Sequence, residues 1–167
     1  MKAGDTSPAG SRQERYAQLL RRLDALCAGE RDAIAIMATI ASELFHAFED
    51  FNWVGFYRNV GGGLLKIGPY QGGHGCLTIP FARGVCGQCA RERRLQNVPD
   101  VRAVPHHIAC SSSTSSEIVV PIFDAAGALL AVLDVDSDRP AAFDGVDETN
   151  LTLLNQYFAQ VGAGANR

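Results

Sequence analysis

The sequence predicts a single α+β domain in which helices pack on one side of an antiparallel sheet. Three observations support this prediction. The 167 residues suffice for one domain whose core needs no disulfide or metal. Apolar residues recur at helical spacing near both ends of the chain. Two pairs of strand-like segments are each joined by a short glycine-containing turn, which favours hairpins over parallel crossovers.

Two helices are predicted before the first strand. Residues 1–11 are small and polar, and we expect a disordered tail ahead of a domain that spans residues 12–167. In residues 12–27 and 31–48 apolar side chains recur every three or four positions, and Gly29 ends the first of these helices. The face of the second helix that we expect to be buried consists of Ile34, Met37, Ile40, Ala41, Leu44 and Phe48.

The first hairpin is followed by an irregular segment. Residues 52–58 are rich in aromatic and branched side chains, and residues 64–67 pair back across a turn of three glycines. Residues 68–116 are interrupted by glycines and prolines and have only two credible elements, a strand at 76–79 and a helix at 86–95. A loop segment of this length in a compact domain indicates a functional region.

The second hairpin and a last helix complete the predicted domain. Residues 117–123 and 128–136 are β-branched, and Gly127 occupies the position in the turn between them that favours a positive φ. Asp144 is the predicted N-cap of a helix that runs to about residue 161. Asp147 stands three residues later, where the acid of a capping box belongs.

Composition excludes several functional classes. There are 15 basic and 18 acidic residues, a net charge of −3, so no basic surplus is available for a nucleic-acid partner. No apolar run reaches the roughly 18 residues that a membrane span requires. The first fifteen residues lack the apolar core of a secretory signal. We therefore expect a cytoplasmic protein without nucleic-acid or membrane partners.

The cysteines are the most informative residues. The chain has five, and four of them lie within 35 residues: Cys76, Cys86, Cys89 and Cys110. A cluster of this kind in a reducing compartment is typical of a metal-binding or redox-active site. The fifth, Cys27, lies on the apolar face of the first helix, where a free thiol commonly serves as a small buried side chain.

Three kinds of site are compatible with these cysteines. A structural zinc site would use the Cys86–Cys89 pair with Cys76 and with Cys110 or a histidine, although a second ligand pair of the usual spacing is missing. A thioredoxin-like CxxC motif would require a preceding parallel strand, which this pattern lacks. A redox enzyme would take a nucleophilic thiol and a resolving thiol from different loops.

Several segments together resemble the free methionine-(R)-sulfoxide reductase family, whose members are built on a GAF-type domain. The segments occur in order between residues 52 and 137. Among them, the HIAC motif followed by the SEIVVP motif is specific to that family. They are NWVGFY at 52–57, GPYQGG at 68–73, GVCGQCA at 84–90, VPDVRAVPHHIAC at 98–110, SEIVVPI at 116–122 and LDVDS at 133–137.

The resemblance implies a thiol-dependent reductase that converts free L-methionine (R)-sulfoxide to L-methionine. It implies that Cys110 attacks the sulfoxide sulfur and that Cys76 and Cys86 resolve the resulting sulfenic acid as a disulfide. We expect Cys76 to be the principal resolving thiol. No cofactor or metal is implied. The expected reductant is thioredoxin or a similar dithiol, and the GAF fold leaves room for a homodimer through the terminal helices.

The resemblance also implies a substrate pocket made of two aromatic residues, Trp53 and Tyr57, and three acids, Glu117, Asp134 and Asp136. The residues themselves agree with this interpretation. Because strand side chains alternate between faces, the two aspartates share one face of their strand, and the two aromatics share one face of theirs. A carboxylic acid kept neutral by burial could protonate the departing oxygen, and carboxylates would bind an α-ammonium group. The alternative is a GAF-type module that binds a small ligand without catalysis.

Overall fold

The computed structural model describes residues 10–104 and 113–162. Residues 1–9, most of the predicted tail, lie outside this part of the chain. The elements are α1 (Arg12–Leu26), α2 (Ala33–Ala47), β1 (Trp53–Asn59), β2 (Leu64–Gln71), β3 (Thr78–Pro80), α3 (Gly84–Glu92), β4 (Gln96–Val98), β5 (Ser116–Phe123), β6 (Leu129–Ser137) and α4 (Gly145–Leu153), with short 3₁₀ turns at Val101–Ala103 and Leu154–Phe158.

The six strands form one sheet in the order β3-β2-β1-β6-β5-β4. Every pair of neighbouring strands is antiparallel, as the two predicted hairpins require. The central strands β1 and β6, with their neighbour β5, carry the residues that the sequence predicts to line the substrate pocket. The predicted α+β class is confirmed.

Each face of the sheet has its own hydrophobic layer. Helices α1, α2 and α4 cover one face, where Phe56, Val120 and Leu133 belong to the larger buried cluster. Helix α3 covers the other face and packs with Trp53 and Tyr57 in a second buried cluster. The prediction that the N- and C-terminal helices pack on one side of the sheet is therefore confirmed. Among the described helices none has the length and apolar character needed to cross a membrane.

Capping acids connect the two ends of the domain. Asp144 caps α4, and Asp147 completes the predicted capping box. The buried Asp147 Oδ1 also accepts hydrogen bonds from Tyr16 Oη and Arg12 Nε, each at 2.7 Å. Arg12 additionally forms an ion pair with Asp50 at 2.9 Å. The single carboxylate of Asp147 therefore joins α1 to α4, a role that its capping position did not predict.

The predicted buried face of α2 is wrong at Ile34. This side chain is 39% exposed, whereas Ile36, which the prediction omitted, is fully buried. Asp32 caps the helix, so Ile34 lies in its first turn and at the edge of the apolar stripe. The remaining predicted positions are buried.

The first hairpin is longer than predicted. Strand β2 continues past Ile67 to Gln71. Ile67 pairs with Tyr57 and Tyr70 pairs with Gly55, so one residue of β1 stands opposite two residues of β2. This bulge accommodates the proline at position 69, which cannot donate a ladder hydrogen bond.

The irregular segment also differs from the prediction in detail. Helix α3 begins at Gly84 and ends at Glu92, and Arg93 takes the left-handed conformation that terminates it. The predicted helix over residues 86–95 was therefore two to three residues out of place. The short strand β4 was not predicted, because a strand of three residues is too short to show an alternating pattern. The last helix gives way to a 3₁₀ turn after Leu153.

Candidate active site

The pairing register places the predicted aromatic and acidic residues on one face of the sheet. On β6, Asp136 lies between Trp53 of β1 and Glu117 of β5. Two residues earlier, Asp134 lies between Gly55 and a valine of β5. Directly paired residues on antiparallel strands project to the same side, so this face presents one continuous row of functional side chains. It is the face that α3 covers.

Stacked aromatic rings form one end of this row. Trp53 stacks on Tyr57 with 5.7 Å between ring centroids and on Tyr70 with 5.4 Å. The indole N–H donates a hydrogen bond to the carbonyl of Gly73 at 3.1 Å. A Cβ atom on Gly55 would lie 2.4 Å from Cη2 of Trp53, so only glycine lets the indole lie across the strand. Tyr70 was not predicted to belong to the site, although it lies within the GPYQGG motif.

The described thiols are in different states. Cys76 is disulfide-bonded, whereas Cys27, Cys86 and Cys89 are free. A Cβ atom on the neighbouring Gly75 would lie 2.9 Å from Cζ2 of Trp53 and 3.0 Å from the hydroxyl of Tyr57, so the Cys76 loop rests on the aromatic rings. The predicted nucleophile, Cys110, lies outside the described residues, as does His107.

Cys86 lies among the acids of the site. Its Sγ is 3.9 Å from Oε1 of Glu117, and the side chain is buried. Burial raises the pKa of the Cys86 thiol well above its ordinary value, and the charges of Asp134 and Glu117 raise it further. At neutral pH Cys86 is therefore a thiol and not a thiolate. A protonated thiol is a poor nucleophile, so Cys86 is not suited to make the first attack on a substrate.

Cys89 has a different polar partner from Cys86. It is fully buried, and its Sγ lies 3.7 Å from the carbonyl oxygen of Val119. Burial raises the pKa of Cys89, with smaller contributions from Asp134 and Glu117. The two cysteines of the CxxC sequence thus have different surroundings, and the disulfide at Cys76 prevents that residue from offering a thiolate to a four-cysteine zinc site.

The pKa values of two acids in the site are raised by burial and by neighbouring carboxylates. Asp134 is buried, and burial together with the charges of Asp136 and Glu117 raises its pKa well above the ordinary value. Burial and the charge of Glu117 likewise raise the pKa of Asp136, while a hydrogen bond from Thr114 acts in the opposite direction. Because burial and mutual repulsion both disfavour the charged forms, Asp134 and Asp136 retain their protons to higher pH than isolated carboxyl groups do. This arrangement can bind an ammonium group and can deliver a proton.

The electrostatic cost of Asp134 leads to a prediction about stability. An aspartate in an unfolded chain has a pKa of about 3.9, and the folded value is raised, so the folded state binds more protons between the two values. Wild-type stability therefore falls with rising pH in that window, by up to about 1.4 kcal/mol per pH unit for one proton. Asparagine does not titrate. Asp134→Asn should thus gain stability relative to wild type as the pH rises above about 4.

Urea unfolding at a series of pH values measures this difference. Asp138→Asn is a suitable control, because Asp138 is an exposed residue just beyond the same row. A constant stability difference between Asp134→Asn and wild type across the pH series would contradict the prediction.

The fold and much of the sequence are shared with known proteins. The GAF domain family matches residues 11–164. A free methionine-R-sulfoxide reductase of Escherichia coli is 38% identical over 144 residues, which cover 86% of this chain and 86% of that protein. The yeast protein of the same name is 38% identical over 150 residues and covers 86% and 83%. The chain belongs to the free methionine-R-sulfoxide reductase family.

A solved structure from this family agrees with the assignment. The free methionine-R-sulfoxide reductase of Neisseria meningitidis, solved in complex with its substrate, has a TM-score of 0.85 and 39% identity to this chain, over 94% of this chain and 93% of that one. As a member of the free methionine-R-sulfoxide reductase family, the chain is an oxidoreductase.

Proposed function

We propose that this chain reduces free L-methionine (R)-sulfoxide to L-methionine by thiol chemistry. The observation that carries the proposal is the row of acids beside stacked aromatic rings on the α3 face of the sheet. Family membership supports the reaction type. The row supports the choice of a free amino acid, because it offers a partner for a positive charge within reach of an apolar surface.

Each part of the substrate has a counterpart in this row. Glu117, Asp134 and Asp136 provide negative charge for the α-ammonium group, which a methionine inside a protein does not possess. The rings of Trp53 and Tyr57 provide an apolar, polarisable surface for the methylsulfinyl end. Since burial and mutual repulsion favour the protonated form, one carboxyl of the group can keep a proton for the sulfoxide oxygen while another, ionised, pairs with the ammonium group.

The reaction proceeds in two chemical steps. The Cys110 thiolate attacks the sulfoxide sulfur, and the oxygen takes a proton from an acid of the row. The oxygen then passes to Cys110 as the substrate's sulfur–oxygen bond and the transient sulfur–sulfur bond break, which leaves a Cys110 sulfenic acid and free methionine. The Cys76 thiol then attacks that sulfenic acid, which releases water and forms a Cys76–Cys110 disulfide. The disulfide state of Cys76 supports its role as the resolving thiol. Thioredoxin or a similar dithiol supplies two electrons to regenerate both thiols.

Cys86 is the second resolving thiol in this proposal. Its buried, protonated state beside Glu117 makes it a poor initial nucleophile. Thiol–disulfide exchange with the bond at Cys76 would pass that bond towards the external reductant. A cytoplasmic location and a homodimer remain predictions.

The experiment that tests the proposed function follows both sulfur epimers of free methionine sulfoxide in the presence of a dithiol. Consumption of the R epimer, with the S epimer left intact, is the expected result. A GAF-type sensory module would bind a ligand without consuming it, so binding without turnover would contradict the proposal.

The proposed thiol roles predict one dominant disulfide. After one equivalent of methionine sulfoxide is added to the fully reduced protein, we expect peptide mapping to find a Cys76–Cys110 bridge as the major product. Cys27 and Cys89 should remain free, as they are in the structure. A dominant Cys86–Cys89 bridge would assign the chemistry to the CxxC sequence instead.

A further inference from the structure

Three side chains of the candidate site lie close enough together to act as metal ligands. Ligand atoms of Cys86, Glu117 and Asp134 all lie within 4.8 Å of one another, and all three side chains are buried. They come from α3, β5 and β6, so three separate elements fix their positions. This group combines one sulfur and two carboxylates.

One carboxylate oxygen of Asp134 is buried and has no partner within the described residues, so it is available to bind a ligand. Asp134 is 6% exposed, and its Oδ1 has no hydrogen-bond partner among the residues that the structure describes. A buried oxygen without a partner costs free energy unless a ligand completes its coordination. A proton donor or a cation would satisfy it.

The separation between Cys86 and Glu117 is close to that of two ligands on one zinc ion. Tetrahedral zinc, with Zn–S near 2.3 Å and Zn–O near 2.0–2.2 Å, places its sulfur and oxygen ligands about 3.6 Å apart. The Sγ of Cys86 and Oε1 of Glu117 are 3.9 Å apart, so a contraction of a few tenths of an ångström would bring them onto one ion. Three protein ligands leave a fourth position for water, and a sulfur donor selects zinc over magnesium or calcium.

We propose that Cys86, Glu117 and Asp134 bind a thiophilic divalent cation, with zinc as the best match. On binding, the S–H bond of Cys86 breaks, the proton goes to solvent, and a zinc–sulfur bond forms without any redox change. This site differs from the zinc site weighed from the sequence, because it uses neither Cys76 nor Cys89. It also has a regulatory consequence, which rests on the proposed function: zinc would occupy the carboxylates that bind the ammonium group and would compete with substrate.

The direct test titrates zinc alone against a chromophoric chelator, using the full chain with the Cys76 disulfide intact. We expect one zinc per chain. Cys86→Ser and Glu117→Gln should each weaken zinc binding about tenfold or more, whereas Cys89→Ala, three residues along the same helix, should leave it unchanged. Cobalt in place of zinc should give a near-ultraviolet sulfur-to-metal absorption band that is absent from Cys86→Ser.

Several results would overturn the inference. These are equal zinc affinity in Cys86→Ser and wild type, loss of binding in Cys89→Ala, or binding that appears only after the disulfide is reduced. If Cys86→Ser does not fold, the Glu117→Gln titration decides in its place. Turnover of the R epimer is measured separately: absent zinc binding with normal turnover refutes the metal site alone, and zinc binding without turnover refutes the proposed function alone.

Discussion

Cys110→Ser is expected to abolish methionine sulfoxide reduction even in a single turnover. The attack on sulfur needs a thiolate, and the three described cysteines that are free in the structure are poorly placed to replace it. Cys86 and Cys89 are buried, with pKa values raised by burial and by neighbouring acids. Cys27 caps the end of α1 and packs against the core on the opposite face of the sheet. A serine hydroxyl has no comparable nucleophilicity near neutral pH.

Rapid-quench measurement of methionine formed per enzyme, without added reductant, checks this prediction. Cys76→Ser is the informative comparison, because losing a resolving thiol should leave the first turnover intact and stall recycling. Cys89→Ala should retain both phases. One equivalent of methionine produced by Cys110→Ser would show that another residue attacks the substrate.

Glu117→Gln is expected to lower kcat/KM by about 10²–10⁴-fold, the usual range for loss of a general acid. Glutamine preserves the shape of the side chain but can neither donate a carboxylic proton nor hold a negative charge opposite Asp136. It also removes one charge from a buried acidic group, so folding stability should stay the same or rise. A large loss of activity without a loss of stability separates a catalytic role from a structural one.

Steady-state kinetics and thermal unfolding of the same preparation provide both readouts. Glu92→Gln is a matched control, because Glu92 ends α3 outside the site and forms surface contacts with Gln88 and Arg94. Retention of more than about a third of the wild-type kcat/KM by folded Glu117→Gln would exclude the proton-transfer role.

Periodicity carried much of the fold prediction, and its failures have local causes. The bounds of α1 were predicted to within one residue and the capping pair Asp144 and Asp147 correctly, because cap chemistry and helical spacing are local signals. Strand β2 was cut short at Ile67, because glycine and proline usually end a strand and the bulge that tolerates them depends on the partner strand. Ile34 was misplaced because burial at a helix end depends on what packs there.

The site was predictable to a similar extent. Strand alternation correctly placed Asp134 and Asp136 on one face, and the family resemblance supplied Glu117 as their companion. Only the register between strands could show that Glu117 stands directly opposite Asp136. The sequence likewise gave no signal that Cys86 would meet these acids, since α3 and β5 are separated by a long stretch of chain. Contacts of this kind come from topology and have no local pattern.

The arrangement around Trp53 has a practical consequence. The chain contains one tryptophan, and its indole is buried and stacks on two tyrosine rings beside the loop of Cys76. All tryptophan fluorescence of this protein therefore originates inside the candidate site. We expect the intensity and wavelength of its emission to change when a ligand binds and when the neighbouring thiols are oxidised. Stopped-flow fluorescence can therefore follow both processes without a label on the millisecond scale.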